Sequence, residues 1–207
     1  MSSDQTMTGI TADVEILSRE TAYKRFFRMD ILALRHRLFR GGMSPPIERE
    51  VFVRRPAVSV LPFDPAAGSV VLVEQFRVGA MLADLPAWQL EVIAGLVEPG
   101  ESALDVARRE ALEEAGCTIQ DPIEVCRYLT SPGGTSEVVT FICARTDASA
   151  VAGLHGLADE HEDIRVHVMP LEEAMHKCST GQITNALTII ALQWLTLNRQ
   201  SLPENWQ

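Results

Sequence analysis

The chain has 207 residues, 46% of them hydrophobic. That is enough for one domain with a sizeable core and room for a small extra layer, and it excludes a disordered or low-complexity class. The net charge of −10 and the absence of any C-x-x-C spacing among Cys117, Cys126, Cys143 and Cys178 argue against a nucleic-acid partner, a zinc site or a disulfide framework. A reducing cytoplasm is the expected location, and each cysteine is expected to be a small core residue.

The N-terminal stretch MSSDQTMTGITADVEIL lacks the basic start and apolar run of a signal peptide. Strand-like runs follow, ADVEIL and FFRMDILALRHRLF, until RGGMSPP at 40–46 breaks the pattern. Residues 24–55 hold nine Lys/Arg against three acids. That balance of +6 leaves −16 for the remainder. A basic segment beside an acidic remainder fits either solvated strand faces or a phosphate-contacting patch next to a metal-loaded site.

REVFVRR, AVSVLPF, SVVLVEQF and WQLEVIAGLV read as strands, the last as one continuous strand over 88–97, with DPAAG (64–68) as a turn. The next segment, GLVEPGESALDVARREALEEAGC (95–117), reads as a loop and a helix. Ser102 is placed to be its N-cap, with Asp105 as the reciprocal partner of a capping box, and Gly116 suits the left-handed C′ position. Leu104, Ala107, Ala111 and Ala115 form the apolar stripe. Glu110, Glu113 and Glu114 fall within about a 100° arc beside it.

Like charges at helical spacing cost roughly 0.2–0.5 kcal/mol per pair, so their clustering points to a shared cation. Oxygen ligands without Cys or His suit a hard ion, Mg²⁺ or Mn²⁺, which is commonly completed by substrate phosphates. Gly95 and Gly100 bracket a tight loop that brings backbone close to the glutamates. Arg109 is expected to pair with Glu101 and fix that loop. Past the helix, IEVCRYL, EVVTFICA and IRVHVMP read as strands, and LEEAMHKC and ITNALTIIALQWLTLNRQ as helices. ALTIIALQWLTL (186–197) is too short to span a bilayer. Strands around one central helix, closed by helices, predict a mixed sheet between helix layers.

Gly95, Glu101, Arg109-Glu110, Glu113-Glu114 and Gly116, with five, seven, two and one intervening residues, resemble the full signature of the Nudix hydrolases. The resemblance implies an α/β fold, the Nudix α/β/α sandwich with a mixed sheet. A small N-terminal β layer (1–50) would serve dimerisation and substrate binding, and 51–207 would be the hydrolase domain. The implied reaction is hydrolysis of a nucleoside diphosphate linked to another group.

In YLTSPGGTSEVVTF (128–141), Pro132 stands sixteen residues after Gly116, which resembles the spacing in members of the family acting on ADP-ribose. LADEHEDIRVHV and NALTIIALQWL extend the resemblance to the ADP-ribose-cleaving branch found in enteric-type bacteria. That branch implies a homodimer with exchanged N-terminal strands, splitting ADP-ribose into AMP and ribose 5-phosphate with Mg²⁺, or Mn²⁺ in its place.

By resemblance, Glu110, Glu114, Glu162 and the carbonyl of Ala94 match metal ligands. Glu160 matches the catalytic base, with Glu113 in or near the metal shell. Phe26, Phe27, Arg49, Glu50, Arg54, Arg77 and Leu96 match substrate-holding positions, as do Ser131, Gly133, Gly134, Thr135, Ser136 and Glu137 in the loop. His161 is expected to be a bystander, and His155, His167 and His176 structural or at the surface. The alternatives are a hydrolase of other nucleoside diphosphate sugars and a regulator that binds ADP-ribose without cleaving it.

Overall fold

The computed structural model describes residues 13–206, apart from the side chain of Glu160. The chain forms two compact units. One is the chain through Arg55 together with Ser131–Glu137, and the other is Pro56–Thr130 with Val138–Gln207.

The first unit is an antiparallel sheet of β1 (Val14–Lys24), β2 (Arg28–His36) and β3 (Ile47–Val53), in that order. β1 runs well past the expected ADVEIL because it pairs with β2 as far as Lys24 opposite Arg28. Two register irregularities, at Ile16/Ser18 and Thr21/Tyr23, break the alternation that would have marked it as a strand. Among the described residues no apolar side chain of this unit is buried; Leu17, Tyr23, Phe26 and Phe39 are exposed. Its one fully buried acid, Asp30 in the middle of β2, accepts hydrogen bonds from Arg19 Nε (2.7 Å) and Thr21 Oγ1 (2.9 Å). Arg28 stands 3.3 Å away. Burial alone would raise the Asp30 carboxyl, but these bonds and the two arginine charges outweigh it and hold the pKa below the ordinary value.

The second unit is built on β4 (Ala57–Asp64), every residue of which is buried. Such a run, without a polar face, is what a strand covered on both sides requires. β4 pairs in parallel with β9 (Val138–Arg145), while the other pairings are antiparallel, so the sheet is mixed. The path is β10 (Leu154–His155), β11 (Ile164–Pro170), β5 (Ser69–Phe76), β4, β9, β8 (Gln120–Leu129). β6 (Trp88–Glu91) joins β5, and β7 (Ile93–Leu96) joins β4. The expected continuous strand over 88–97 is therefore two strands, broken at Val92, because its halves pair with different neighbours. The five-residue helix α1 (Val78–Leu82) and the short β10 carry too little periodicity to be read from sequence.

Alternating residues sort the core into two layers. Val58, Val60, Val71, Val73 and Ile93 pack with Val106, Ala107, Ala111 and Ala115 of α2 (Ala103–Ala115). On the other face Leu61, Phe63, Val70, Leu72 and Phe141 pack with Ala174 of α3 (Leu171–Ser179). Ala191, Leu192 and Leu195 of α4 (Ala186–Asn198) complete that layer. The result is the expected α/β/α sandwich. Cys117 and Cys143 belong to these cores and Cys178 packs against one, but Cys126 on β8 is exposed, against expectation. Among the described residues no helix is long and apolar enough to cross a membrane.

The buried Asp30 cluster supports the first unit. Replacing Asp30 by Ala removes the buried carboxylate that Arg19 and Thr21 hydrogen-bond and Arg28 faces, and should lower unfolding stability by about 2–3 kcal/mol near pH 7. Because the folded pKa lies below the unfolded one, this contribution is present above the ordinary carboxylate range and lost as pH falls through the depressed value. Urea unfolding of both proteins at pH 7 checks it, and coincident midpoints would contradict it.

Candidate active site

The capping box forms as expected. The Asp105 N–H donates to Ser102 Oγ (3.2 Å) and the Ser102 N–H to Asp105 Oδ2 (3.1 Å). At the other end Gly116 is left-handed (φ +59°), and the Cys117 N–H returns to the Ala111 carbonyl (2.9 Å). A Cβ on Gly116 would lie 2.6 Å from His155 Cε1, so glycine there also admits the His155 ring. The helix is thereby fixed at both ends, and its glutamates with it.

Arg109 supplies the balancing charge. Its Nε and Nη2 donate to the two oxygens of Glu101 (2.9 and 3.1 Å), as expected. Its Nη1 also reaches Glu110 (2.7 Å) and Glu113 (3.0 Å). The hydrogen bonds from Arg109, with one from the Glu98 N–H, hold the Glu101 carboxyl below its usual range. The Glu101 bond is the main reason the guanidinium proton is held still more tightly than usual.

Glu114 lies deeper than a place beside the apolar stripe would suggest. It is buried on the Ala107–Ala111 side, only 2% exposed, and accepts the Ala94 N–H at 3.2 Å. Burial first, then the charge of Glu110, pushes its carboxyl up to about 8, with Glu162 adding and the Ala94 bond and Arg77 opposing. Glu110 is raised too, by burial against the pull of Arg109, with Glu113 and Glu162 adding to it. These glutamates therefore share one electrostatic environment.

The backbone of β7 completes the cluster. A Cβ on Gly95 would fall inside the Glu110 carboxylate, so only glycine leaves that side chain where it is. In an extended strand the N–H and C=O of one residue face the same side. The Ala94 carbonyl therefore lies on the same side of β7 as its N–H, the side that Glu114 occupies. The Leu96 carbonyl accepts from Arg109 Nη2 at 3.4 Å.

The acidic loop is tied to the same helix, since the Gly156 N–H donates to the Glu113 carbonyl (3.2 Å). Gly156 (φ +98°) has no room for a Cβ beside Glu162, whose Oε2 accepts the Leu157 N–H (3.3 Å). The backbone of Glu160 ends a short 3₁₀ turn, Ala158–Glu160, but its side chain lies outside the described residues. His161 is exposed and left-handed, and the His167 ring bonds Glu74 (2.9 Å). Among the described residues no three His, Cys, Asp or Glu side chains converge as a finished metal cage. Arg109 engages Glu110 and Glu113 instead. A cavity of about 390 Å³ opens beside the acidic loop, lined by Glu74, Trp88, Leu154, Asp163 and Arg165, none of them expected from sequence.

In the first unit the structure gathers a second group. The Arg54 guanidinium lies over the rings of Phe27 (5.1 Å) and Phe52 (5.5 Å) and pairs with Glu137 (2.9 Å). Phe26 meets Phe27 edge-on. Loop 131–137 is sewn to β3: Phe52 N–H to the Gly134 carbonyl (2.8 Å), Thr135 Oγ1 to the Phe52 carbonyl (3.0 Å), Arg54 N–H to Ser136 Oγ (3.0 Å). Ser131 closes the turn by accepting from Gly134 and Thr135, and Gly133 is exposed within it. Arg49 and Glu50 stand apart, exposed on β3, with Arg49 bonded to the Glu48 carbonyl. Sequence reading took Phe52 only as a strand residue. Its place two before Arg54, on the same strand face, was the available signal.

The raised Glu114 has a consequence for the metal-free protein. Its folded pKa, about 8, exceeds the ordinary 4.5, so its contribution to stability is full below the ordinary value and lost as pH rises through 8. Glu114→Gln cannot ionise. In EDTA its melting temperature should therefore gain on wild type between pH 5 and 9, by roughly 5 °C at the alkaline end. Parallel thermal melts would contradict the burial account.

Residues 53–187 match the family described as NUDIX domain. The chain is 50% identical over 194 residues to an ADP-ribose pyrophosphatase of Escherichia coli (strain K12), covering 94% of this chain and 93% of the relative. It is 40% identical over 198 residues to an ADP-ribose pyrophosphatase of Haemophilus influenzae, covering 94% and 91%. It is 36% identical over 151 residues to a GDP-mannose pyrophosphatase of Cronobacter sakazakii, covering 72% and 78%. A solved structure of an ADP compounds hydrolase superposes with a TM-score of 0.68 at 25% identity, over 89% of this chain and 95% of that one. With its signature residues folded into one carboxylate cluster, the chain belongs to the Nudix family of hydrolases.

Proposed function

We propose that the protein hydrolyses the pyrophosphate of ADP-ribose, giving AMP and ribose 5-phosphate. The observation that carries the chemistry is the cluster of Glu110, Glu113, Glu114 and Glu162 around the Ala94–Gly95 backbone, with Arg109 as the balancing cation. The substrate reading is supported by the 50% identity that runs through both units, against a GDP-mannose relative that matches only 72% of the chain.

The donor set fits a hard divalent cation, since it is all oxygen, partly desolvated, and given room by Gly95. Glu110, Glu114, Glu162 and the Ala94 carbonyl would hold Mg²⁺ or Mn²⁺, with Glu113 beside them. When bound, the ion neutralises the diphosphate and makes the attacking water more acidic. Glu160 takes that water's proton as its oxygen bonds to one phosphorus and the bridging P–O bond breaks. Glu101 and Leu96 keep Arg109 anchored, so the glutamates stay oriented whether or not they share a cation.

Phe26 and Phe27 offer faces for adenine, and Arg49, Arg54 and Arg77 offer planar forks for phosphate. Glu50 and the 131–137 loop supply polar groups for ribose. The first unit, with no buried apolar side chain of its own among the described residues, lacks the packed hydrophobic face that a three-stranded sheet needs for independent stability. A homodimer exchanging N-terminal strands would provide it, and would deliver these groups to the glutamates of the partner subunit.

Product analysis with purified protein, Mg²⁺, ADP-ribose, GDP-mannose and nucleoside triphosphates tests the function. AMP and ribose 5-phosphate should form fastest, whereas intact ADP-ribose beside a cleaved panel member would remove the substrate reading. Bound but uncleaved ADP-ribose would favour a regulator.

Three variants test the site. Gly95→Ala displaces the flexible Glu110 side chain rather than the core, so it should melt near wild type yet lose on the order of 100-fold in turnover, matching Glu110→Gln. Glu160→Gln should slow turnover while largely sparing Mn²⁺ affinity. Wild-type rates for Glu160→Gln would pass the base role to Glu113 or Glu162.

A further inference from the structure

Behind Arg77 lies a buried polar chain that neither the signature nor the mechanism above uses. Arg77 meets Glu91 side-on: Nε donates at 2.9 Å and Nη2 at 2.8 Å, both to Oε2. Glu91 is only 5% exposed. Its other oxygen accepts from Asn185 Nδ2 at 2.8 Å. Asn185 is the N-cap of α4, its Oδ1 accepting from the N–H and Oγ1 of Thr188 (both 3.1 Å). Thr188 Oγ1 in turn accepts the N–H of Val92 (2.9 Å), the residue at the break between β6 and β7. The chain thus joins the start of α4 to Arg77 and to the backbone two residues before Ala94.

A guanidinium held through Nε and Nη2 keeps its Nη1/Nη2 edge available, the edge that binds a phosphate with two parallel bonds. Arg77 is 44% exposed at its side chain while its partner is buried, so the pair has one anchored end and one open end. The Arg77 charge is felt at Glu114, which places it within electrostatic range of the carboxylate cluster.

We propose that Glu91 is a positioning residue for the substrate diphosphate: fixed by Asn185 at the start of α4, it holds Arg77 side-on with the phosphate-binding edge free. This rests on the nucleotide-diphosphate reading of the site. A buried ion pair of purely structural purpose would use the same contacts, so the test must separate the two.

The discriminating measurement is a double-mutant cycle on the full-length protein, reading ADP-ribose affinity by calorimetry in EDTA and KM and kcat with Mg²⁺. Glu91→Gln keeps the shape and an oxygen for Asn185 but removes the charge. It should weaken ADP-ribose binding and raise KM roughly tenfold with kcat changed about twofold or less. In an Arg77→Ala background it should add nothing further. Asn185→Ser retains an N-cap side chain while losing the donor to Glu91. It should shift KM in the same direction by less, and it stands in if Glu91→Gln does not fold.

Equal effects of Glu91→Gln with and without Arg77, or a lower melting temperature with KM unmoved, would overturn the proposal. Wild-type protein that binds ADP-ribose without cleaving it would remove the hydrolase reading while the binding cycle still decides the role of Glu91. Wild-type protein with no affinity for ADP-ribose would overturn both.

Discussion

The guanidinium of Arg109 is bonded to Glu101, Glu110 and Glu113 at once, and the rest of the site is arranged around the charge it leaves uncompensated. One cation cannot balance these acids together with Glu114 and Glu162. Part of the excess is handled by burial, which keeps a proton on Glu114, and part by the backbone N–H groups of Ala94 and Leu157. A fold selected for stability alone would not collect carboxylates this way, since each like pair works against it. The arrangement becomes favourable when a second, harder cation arrives.

The room that the proposed cation would occupy comes from backbone placed by the sheet. β4 carries β7 alongside it, and Gly95 in β7 lets the Glu110 carboxylate lie against the strand. The break at Val92 separates β7 from β6 and hands the freed N–H to Thr188 at the start of α4. Both helix layers therefore bear on the same few residues, α2 by supplying the carboxylates and α4 by fixing the strand junction opposite them. The first unit has a different economy. Its sheet is organised by the ionic cluster at Asp30, and among the described residues none of its apolar side chains is fully buried.

Much of the cluster was legible in the sequence because it depends on short-range order. Capping at Ser102 and Gly116, the apolar stripe of α2 and the Arg109–Glu101 pair all follow from spacing within one loop and helix. The burial of Glu114 was not legible, since helix geometry gives an angle around the axis and not how far the neighbouring strand reaches. The break at Val92 was hidden because both halves are apolar and only their pairing partners differ. Glu91 stands 94 residues before Asn185, and no local pattern links the two. Phe52 looked like any strand aromatic, and its role depends on a loop eighty residues later. Cys126 was misplaced because β8, at the sheet edge, does not bury it.

The most direct test is calorimetric titration of the metal-free protein with Mn²⁺ at pH 7 in two buffers of different ionisation enthalpy. A cation entering a site where Glu114 holds a proton must displace it, so the apparent binding enthalpy should depend on the buffer and correspond to release of roughly one proton. Identical enthalpies in the two buffers would mean that no carboxylate in the cluster is protonated before the ion binds, contradicting the account of excess charge held in check by burial.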